Sequence, residues 1–404
     1  MDLKDKNIVL GVSGGIAAYK SVELLRMLVK QGAVVRVIMT RSACKFVGPL
    51  TFKALSGNPV CVSLFDDDDD AGIRHIDWAR EADAVIVAPA TANIIGKMAC
   101  GLADDALSTF MLAVTAPRLI CPAMNTHMYE NRAVQRNIDT LEENGFTVIE
   151  PGSGELACGT TGPGRMPDPE IIVDRFLHMM APKDFAGKRV LVTAGPTREP
   201  VDPVRFISNS SSGKMGYAIA RAAEYRGATV ALVSGPVSLR PPVNVDVVSV
   251  ETAGEMATAV LERMAETDII FKVAAVGDYR TVDAAEHKIK KKDGEGMVLK
   301  LTENMDILRT IGQQKTGQVV VGFAAETQDL ADNAQKKLAA KNTDMIAANL
   351  ISATDSPFNA DANKVHLFYK NGREEDLPKM GKPELANALL DRVLGLMDKE
   401  EAQA

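Results

Sequence analysis

Short apolar runs alternate with helical repeats at the start of the chain. The run "NIVLGV" is followed by a pair of glycines, and Leu24, Leu25 and Leu28 then recur on one face of a helix. Gly32 ends this predicted helix, and the apolar run "VVRVIM" begins the next strand. The order of strand, glycine turn, helix and strand predicts a β-α-β unit with parallel strands.

The same order returns in the second half of the chain. The run "RVLVTAGP" predicts a strand, "GYAIARAAEY" predicts a helix, and "ATVALVSG" predicts a second strand. An insertion of roughly eighteen residues separates the first of these strands from its helix. Two such starts predict an α/β protein with two doubly wound, Rossmann-like domains, each built on a parallel sheet.

The seam between the two halves is predicted near residue 183. Asp168 and Pro169 mark the start of a helix, as its cap and its first residue. Pro182 and Gly187 then interrupt the pattern before the strand that opens the second half. The predicted domains are therefore 1–182 and 183–404.

Composition is typical of a soluble globular protein. Of the 404 residues, 46% are hydrophobic and 25% are charged, and the net charge is -7. This charge argues against a general nucleic-acid binder, and no apolar stretch approaches the roughly 18 residues of a membrane span. The N-terminal sequence shows no signal-peptide pattern, so we expect a cytoplasmic protein.

The cysteines predict neither a disulfide framework nor a structural zinc site. Their number is odd, and none of them forms a CxxC pair. We expect most of them to be small buried apolar residues in a reducing compartment. They are Cys44, Cys61, Cys100, Cys121 and Cys158.

The stretch "SNSSSGKMG" has the composition of a phosphate-binding loop ahead of a helix, but it fails the Walker spacing. Ser208 stands at the first glycine position, and Met215 follows Lys214 where Ser or Thr is required. A P-loop NTPase is therefore disfavoured. A nicotinamide dehydrogenase is disfavoured as well, because G-x-G-x-x-G is missing from both first turns. The amides and hydroxyls of the stretch still suit a phosphate.

Polar loops follow several predicted strands of the first half. They are "GVSGGIAA", "APATAN", "CPAMN" and the glycine-rich "ACGTTGPGRM", and His75 precedes one of the strands. Ligands of open α/β sheets bind beyond the carboxyl ends of the strands. Each piece taken alone also has a structural explanation, as a turn, a loop or a solvated histidine. The acidic run "DDDDD" is interpreted as a solvated loop rather than a metal site.

Taken together, "GVSGGIAAYK", "APATAN", "CPAMNTHMY" and "ACGTTGPGRM" resemble the flavin-dependent cysteine decarboxylases in order and spacing. The resemblance covers the whole first half and implies FMN as the cofactor. The implied cofactor positions are Ser13, Gly14 and Gly15 for the phosphate, and Thr40, Thr91, Asn93 and Ser108 for the flavin pocket.

Three further residues match the catalytic positions of that family. The implied reaction removes hydride from the carbon that bears sulfur, because loss of carbon dioxide needs an electron sink beside the carboxylate. By this resemblance His75 is the base or electrostatic partner, and Asn125 binds the carboxylate. Cys158 donates the last proton, a role that suits a thiol because its pKa lies near neutrality.

The second half carries lysines around the turn "DGEG". One interpretation is a solvated β-hairpin with surface lysines, namely Lys288, Lys290, Lys291 and Lys292. The other is that one lysine reaches a polyphosphate, since "AAVGDYR" and "VGFAAET" follow apolar runs and therefore lie at strand ends. The residues alone leave both interpretations open.

This half resembles the bacterial, CTP-using phosphopantothenate–cysteine ligases. The whole chain thus resembles the bifunctional phosphopantothenoylcysteine decarboxylase/phosphopantothenate–cysteine ligase family of coenzyme A synthesis. The resemblance implies that the carboxylate of 4'-phosphopantothenate attacks CTP and that the acyl-cytidylate then reacts with cysteine. It also implies Mg2+ or another divalent cation, which offsets phosphate charge. The metal ligands are not identified by it.

By the same resemblance, Asn209 is the catalytic asparagine beside the acyl-cytidylate, and Lys288 is needed for activation. The chain departs from the family pattern at Gly277, where alanine is usual, and at Met305, where proline is usual. The implied nucleotide-binding positions are Ala274, Ala275, Val276, Asp278, Lys288, Met305, Asp306, Ile307, Leu308, Phe323, Lys337 and Lys341.

A flavin-binding regulatory protein is the non-enzymatic alternative, since relatives of the decarboxylase fold also serve as inhibitory subunits. The presence of His75, Asn125 and Cys158, together with a ligase half, favours the enzyme. The resemblance further implies a homo-oligomer, a dodecamer in which the flavin halves form trimers and the ligase halves form dimers. Its expected partners are small-molecule substrates, without nucleic acid or membrane.

Overall fold

The chain divides into two compact units, Asp2–Ala181 and Pro182–Ala404. The computed structural model describes residues 3–64, 74–155, 159, 161–291, 296–326, 330–350 and 360–401. Each unit has its own sheet and its own hydrophobic core. Within these ranges, no helix is long and apolar enough to cross a membrane.

The first unit alternates strands and helices along its length. In chain order it contains β1 (Asn7–Val12), α1 (Ala18–Lys30), β2 (Val34–Met39), α2 (Pro49–Ser56), β3 (Val60–Cys61), α3 (Arg74–Glu81), β4 (Ala84–Ala90), α4 (Ala92–Cys100), α5 (Ala106–Ala113), β5 (Arg118–Pro122), α6 (Thr126–Tyr129), α7 (Arg132–Glu143), β6 (Phe146–Val148), β7 (Gly152–Glu155), β8 (Thr161–Arg165) and α8 (Pro169–Met180).

Six of these strands form a parallel sheet in the order β3-β2-β1-β4-β5-β6. Leu10 at its centre lies beside Val37 of β2 and Ile86 of β4. Leu24 of α1 and Phe176 of α8 pack on one face, and α4, α5 and α7 cover the other. This arrangement confirms the predicted doubly wound fold, in which buried parallel strands are apolar throughout.

Helix α8 begins with Asp168 at its cap position and Pro169 as its first residue, as predicted. The carboxylate of Asp168 makes no capping hydrogen bond, however. It pairs with the ammonium group of Lys20 at 2.8 Å instead, which fastens α8 to α1. Proline at the first position needs no amide partner, so the helix can begin without a side-chain cap.

The second unit has longer connections and more strands. In chain order it contains β9 (Arg189–Ala194), β10 (Arg198–Pro200), β11 (Phe206–Ser208), α9 (Lys214–Tyr225), β12 (Thr229–Ser234), β13 (Val245–Ser249), α10 (Ala253–Met264), β14 (Ile269–Lys272), β15 (Tyr279–Thr281), β16 (Leu301–Glu303), α11 (Ile307–Gln314), β17 (Val319–Glu326), α12 (Leu330–Ala340), β18 (Met345–Leu350), β19 (Ala362–Tyr369), β20 (Glu374–Gly381) and α13 (Lys382–Glu401).

Eight strands of this unit form one sheet in the order β13-β12-β9-β14-β17-β18-β19-β20. The first six are parallel and confirm the second predicted doubly wound core. β19 and β20 were not predicted; they run antiparallel at one edge and are joined by a turn at Asn371 and Gly372. The predicted insertion after β9 contains the β10–β11 hairpin.

Two short antiparallel strands flank the lysines of the second half. β15 and β16 pair in antiparallel fashion, with Tyr279 opposite Glu303. Lys288, Lys290 and Lys291 lie in the connection between these strands, outside any strand, and all three are exposed. Lys292 falls outside the described residues. The three described lysines therefore lie in the connection between two short paired strands, and residues 293–295 of "DGEG" fall outside the described residues.

Among the described residues, the cysteines form no disulfide bond. Cys61 and Cys121 are buried, as expected, and burial raises the pKa of Cys121 well above its usual range. Cys44 is half-buried and Cys100 is exposed. The expectation of burial is therefore confirmed for two of these four cysteines.

Candidate active sites

The first candidate site lies between β1 and β4, where the strand order reverses. Ser13 follows β1 and is buried. Its hydroxyl donates to the Pro89 carbonyl at 2.7 Å and accepts from the Thr91 amide at 3.0 Å. The hydroxyl oxygens of Ser13 and Thr91 are 3.1 Å apart. The crevice therefore brings two predicted cofactor residues into direct contact.

Close backbone approach explains the glycine that follows. A Cβ atom at Gly14 would lie 2.3 Å from the Cβ of Ser42 and 2.8 Å from its carbonyl carbon. Ser42 belongs to the turn after β2, in which the Thr40 hydroxyl accepts a hydrogen bond from the Ala43 amide at 3.2 Å. Only glycine fits at position 14, and its backbone stays accessible to a phosphate group.

A cavity of about 540 Å³ opens from this crevice, with walls of hydroxyls, a carboxamide and charged side chains. Gly15 and Ser108 do not line it, and the Ser108 hydroxyl is engaged in a capping box with Asp105 at the start of α5. The predicted cofactor residues that do line it are Ser13, Gly14, Thr40, Thr91 and Asn93.

Sequence reasoning missed the charged wall of this cavity. Lys97 of α4 binds Asp104 at 2.6 Å and Asp105 at 2.7 Å, and all three residues line the cavity. Burial alone would lower the pKa of Lys97, but the two carboxylates outweigh it and raise the pKa, so the ammonium group stays charged. The available signal was a lysine and an acidic pair on either side of one turn, which resembles ordinary surface charge.

Asn125 follows β5 and caps α6, because its Oδ1 accepts a hydrogen bond from the His127 amide at 2.9 Å. The β7–β8 hairpin docks on the same segment, since the Met124 amide donates to the Gly164 carbonyl at 3.0 Å. A Cβ atom at Gly164 would lie 2.2 Å from the Met124 carbonyl oxygen. The hairpin thus contacts the loop that carries Asn125.

Of the other two predicted catalytic residues of this half, the structure describes only one. His75 is half-buried in the first turn of α3. Cys158 lies outside the described residues, in the connection between β7 and β8, whose strands end at Glu155 and Thr161. The acidic run at 66–70 also lies outside the described residues.

The second candidate site lies at the corresponding reversal of the second sheet, between β9 and β14. The turn after β14 is held by two side chains, one at the end of β9 and one just after it. Thr193 Oγ1 accepts hydrogen bonds from the amides of Val273 and Ala274 at 3.0 and 3.1 Å. Thr197 Oγ1 accepts from the Gly277 amide at 2.9 Å. Two threonines, neither predicted from the sequence, therefore fix the backbone of the predicted nucleotide loop.

Asn209 meets this turn directly. Its Nδ2 donates to the Val276 carbonyl at 3.0 Å and to the Ala275 carbonyl at 3.3 Å. Lys214, further along the same stretch, pairs with Asp361 at 2.6 Å. The structure therefore brings the predicted catalytic asparagine against two predicted nucleotide residues.

The side chain of Lys288 is exposed, and hydrogen bonds hold the backbone of the next residue, Ile289. The Ile289 amide donates to the Asp202 carboxylate at 3.1 Å, and the Ile289 carbonyl accepts from Arg205 at 2.6 Å. Burial alone would raise the pKa of Asp202, but hydrogen bonds from the Val204 and Ile289 amides and from Arg205 hold it well below its usual range. Asp202, which the sequence did not single out, thus anchors the segment that carries Lys288.

Further predicted nucleotide positions gather at the start of α11. Asp306 caps this helix by accepting from the Arg309 amide at 3.1 Å, and it binds the Lys341 ammonium group at 2.9 Å. The side chains of Ile307 and Leu308 are buried in the core. Only the backbone of these two residues can therefore face a ligand.

The other members of the predicted set surround the same region. Asp278 and Met305 are exposed, and Phe323 and Lys337 are half-buried. A cavity of about 930 Å³ beside the turn includes Met305 but none of the other predicted nucleotide residues, so it does not define the site. Among the described residues, no group of three or more His, Cys, Asp or Glu side chains is arranged to hold a metal ion.

Both halves of the chain match models of known protein families. The flavoprotein family model matches residues 1–180, and the model of the DNA/pantothenate metabolism flavoprotein C-terminal domain matches residues 185–397. The chain is 50% identical to the coenzyme A biosynthesis bifunctional protein CoaBC of Bacillus subtilis, over 98% of both chains. The chain belongs to the CoaBC family. It is also 47% identical to the CoaBC of Escherichia coli K12, over 99% of both chains.

Two solved structures are similar to the separate halves. The C-terminal domain of a CoaBC protein is 42% identical and covers 54% of this chain and 99% of its own, with a TM-score of 0.47. A PPC decarboxylase mutant complexed with pantothenoylaminoethenethiol is 31% identical and covers 43% of this chain and 97% of its own, with a TM-score of 0.39.

Membership of the CoaBC family confirms the predicted resemblance over the full chain. The protein is a bifunctional enzyme of coenzyme A biosynthesis with a flavoprotein half. The regulatory-protein, P-loop NTPase and dehydrogenase alternatives are therefore wrong as descriptions of the whole chain.

Proposed function

We propose that the second half joins cysteine to 4'-phosphopantothenate through an acyl-cytidylate made from CTP. The first half then decarboxylates the product to 4'-phosphopantetheine with FMN. The observation that supports this proposal is that each strand reversal brings together residues that we assign to one reaction. Ser13 contacts Thr91 in the first unit, and Asn209 contacts Ala275 and Val276 in the second.

The first crevice fits FMN in three respects. The turn at Gly14 forms a cradle that a Cβ atom would fill. The hydroxyls of Ser13 and Thr91 and the carboxamide of Asn93 line the cavity, where they can bind polar atoms of phosphate and ring. Arg41 also lines the cavity and adds a positive charge to its wall. When bound, FMN supplies the hydride acceptance that activates the carboxylate for loss of carbon dioxide.

The protein groups around this cofactor have distinct tasks. Because Oδ1 of Asn125 accepts from the His127 amide, its Nδ2 is the atom that donates to the substrate carboxylate. His75 is proposed as the base or electrostatic partner. Cys158, on the connection of the docked hairpin, is proposed to deliver the final proton.

In the ligase site, positive charge offsets the charge of the triphosphate while the carboxylate attacks. Lys288 is exposed, and the backbone of the next residue, Ile289, is held by Asp202, so the lysine side chain extends towards a ligand from a fixed backbone position. Lys341 lies beside Asp306 at the start of α11. Asn209 is oriented by two carbonyls and is proposed to bind the acyl-cytidylate. Mg2+ or another divalent cation completes the proposed set.

Two measurements on the purified full-length protein test this function. One is the visible absorbance of bound flavin, and the other is pyrophosphate release with CTP, 4'-phosphopantothenate and Mg2+, each omitted in turn. We expect a yellow protein that releases pyrophosphate only when all three are present. A colourless protein that hydrolyses ATP without 4'-phosphopantothenate would contradict the proposal.

The proposed assembly is a dodecamer built from trimers of the flavin halves and dimers of the ligase halves. Support comes from large apolar side chains that are exposed in the single chain, such as Tyr19 and Leu50 in the first unit and Val298 in the second. Light scattering coupled to size-exclusion chromatography measures the mass of the assembly. A monomer at micromolar concentration would contradict this part of the proposal.

A further inference from the structure

We propose that Lys272 is a further positioning residue of the ligase reaction. Its ammonium group holds the Ala274 carbonyl and thereby fixes the turn against which Asn209 is oriented. This inference deepens the proposed ligase function and rests on it. The resemblance to the ligases did not single out Lys272, which ends the run "DIIFK".

Lys272 occupies an unusual place for a lysine. It is the last residue of β14, directly after Ile269, Ile270 and Phe271, which are all buried. Its Nζ donates a hydrogen bond to the Ala274 carbonyl at 2.9 Å, two residues further along. The long side chain therefore bends back over the strand end and braces the turn that β14 leads into.

Successive backbone carbonyls of this turn accept hydrogen bonds from side chains of the protein. Lys272 binds the carbonyl of Ala274, which is buried. Asn209 Nδ2 binds the next two carbonyls, and Asn304 Nδ2 binds the Gly277 carbonyl at 2.8 Å. A shift of the Ala274 peptide would move the carbonyls that Asn209 contacts. Loss of the lysine would also leave a buried carbonyl without its donor, which is costly.

The charged groups that act on Lys272 come from each neighbouring part of the predicted nucleotide site. Lys337 lies in α12, and Lys341 directly follows that helix. Asp306 caps α11, and Asp278 lies in the turn itself. Burial lowers the pKa of Lys272 to about 8, the two lysines add to that shift, and the two carboxylates oppose it. In the free enzyme, Lys272 therefore loses its charge at mildly alkaline pH.

The experiment compares Lys272→Met, Lys272→Arg and a matched control, Lys364→Met, in the full-length protein. Lys364 is an exposed lysine on β19 of the same sheet. For each protein, kcat and kcat/KM for CTP are measured from about pH 6 to about pH 10, because kcat/KM reports ionisation in the free enzyme. Decarboxylase activity in the same samples reports on folding of the other half.

We expect Lys272→Met to lower kcat/KM for CTP by about tenfold or more, with decarboxylation unchanged. The wild type should lose kcat/KM above about pH 8, and this loss should be absent in Lys272→Met and displaced to higher pH in Lys272→Arg. Lys364→Met should match the wild type throughout.

Two results would overturn the inference. One is a Lys272→Met enzyme that matches Lys364→Met in both rate and pH profile. The other is a Lys272→Met enzyme with reduced ligase activity but an unchanged alkaline loss, since the lysine would then act only as packing. A wild type without any CTP-dependent ligase activity would instead refute the proposed function, so the two failures are distinguishable.

Discussion

The two candidate sites share a position in their sheets and differ in what surrounds them. In the first unit, the hydroxyls of Ser13 and Thr91 meet across a crevice whose backbone is closed in by Ser42. In the second, a braced backbone turn meets Asn209, and exposed Lys288 lies on a neighbouring loop. An enclosed crevice suits a cofactor that stays bound, whereas exposed cations suit charged substrates that enter and leave. Strand order thus sets where a ligand binds, and the loops set its chemistry.

The two sites are also braced by different forces. The hairpin of the first unit is held by close backbone contact between Gly164 and Met124, which side-chain charge does not influence. The lysine-bearing segment of the second is held by the buried carboxylate of Asp202. Steric changes should therefore harm the first site most, and changes of charge should harm the second.

The largest effect is expected from Gly14→Ala. Its Cβ would lie 2.3 Å from the Cβ of Ser42, so the turn must move and the phosphate cradle is lost. We expect a colourless protein with little decarboxylase activity and normal ligase activity. Gly48→Ala is the control, because a Cβ there meets nothing within 4 Å. A yellow, fully active Gly14→Ala protein would show that close backbone packing does not control the first site.

Cys158→Ser should be nearly as damaging to the first site, at the step after carbon dioxide leaves. A serine hydroxyl is a much weaker acid than a thiol, so we expect final protonation to slow by about 10²-fold or more. Mass spectrometry of the product should show the unsaturated thiol accumulating. Cys100→Ser, a change at an exposed free thiol, is the control. Normal cysteamine-type product from Cys158→Ser would refute the proton-donor role.

Asn209→Asp should impair the second site alone. The new carboxylate would face the carbonyl oxygens of Ala275 and Val276, which now accept from Nδ2, and the side chain would be repelled from its position. We expect ligase kcat to fall by about 10²-fold while decarboxylation is spared. Equal loss of both activities would indicate misfolding and would contradict a local role.

Asp202→Asn tests the charge-based brace. The folded-state pKa of Asp202 lies below its unfolded value of about 3.9, so its carboxylate adds stability above about pH 4 that is lost as the pH falls. We expect the variant to have a lower Tm at neutral pH and a smaller loss of Tm on acidification. Asp283→Asn, an exposed change, is the control. Equal Tm values for Asp202→Asn and Asp283→Asn from neutral to acidic pH would contradict a stabilising role of the Asp202 carboxylate.

Gly277→Ala should have the smallest effect. A Cβ there would lie 3.4 Å from the Glu199 Cγ and 3.6 Å from the Thr197 hydroxyl oxygen, which are ordinary contacts. We expect KM for CTP to stay within about twofold of the wild type and stability to rise by about 0.4–1 kcal/mol, since alanine restricts the unfolded chain. A tenfold rise in KM would show that the turn needs glycine.

Much of the fold could be predicted because its signals are local. The periodic leucines of α1 and the glycine turns after β1 and β9 predicted both doubly wound cores. The antiparallel β19–β20 edge was missed, although Asn371 and Gly372 form the short turn that often joins two strands. The β15–β16 pair was not located in the sequence because each strand has only three residues and little hydrophobic pattern.

Candidate site residues could be proposed from the sequence where a motif carries them, and not where only a tertiary contact does. Ser13, Thr91 and Asn209 stand in recognisable loops and meet their expected neighbours. Asp202 accepts from the amide of a distant segment, and Lys272 donates to a carbonyl only two residues further along. No motif in the sequence around either residue marks it.

The sequence by itself determined the parallel strands and helices of both cores, their order along the chain and the loops that carry the proposed chemistry. Helical spacing, glycines and strand ends act over a few neighbouring residues, so they can be read along the chain. Only the tertiary structure decided which loops meet. The bond between Ser13 and Thr91 spans 78 positions, and that between Asp202 and the Ile289 amide spans 87. Such contacts depend on strand order and close packing, which are properties of the whole fold.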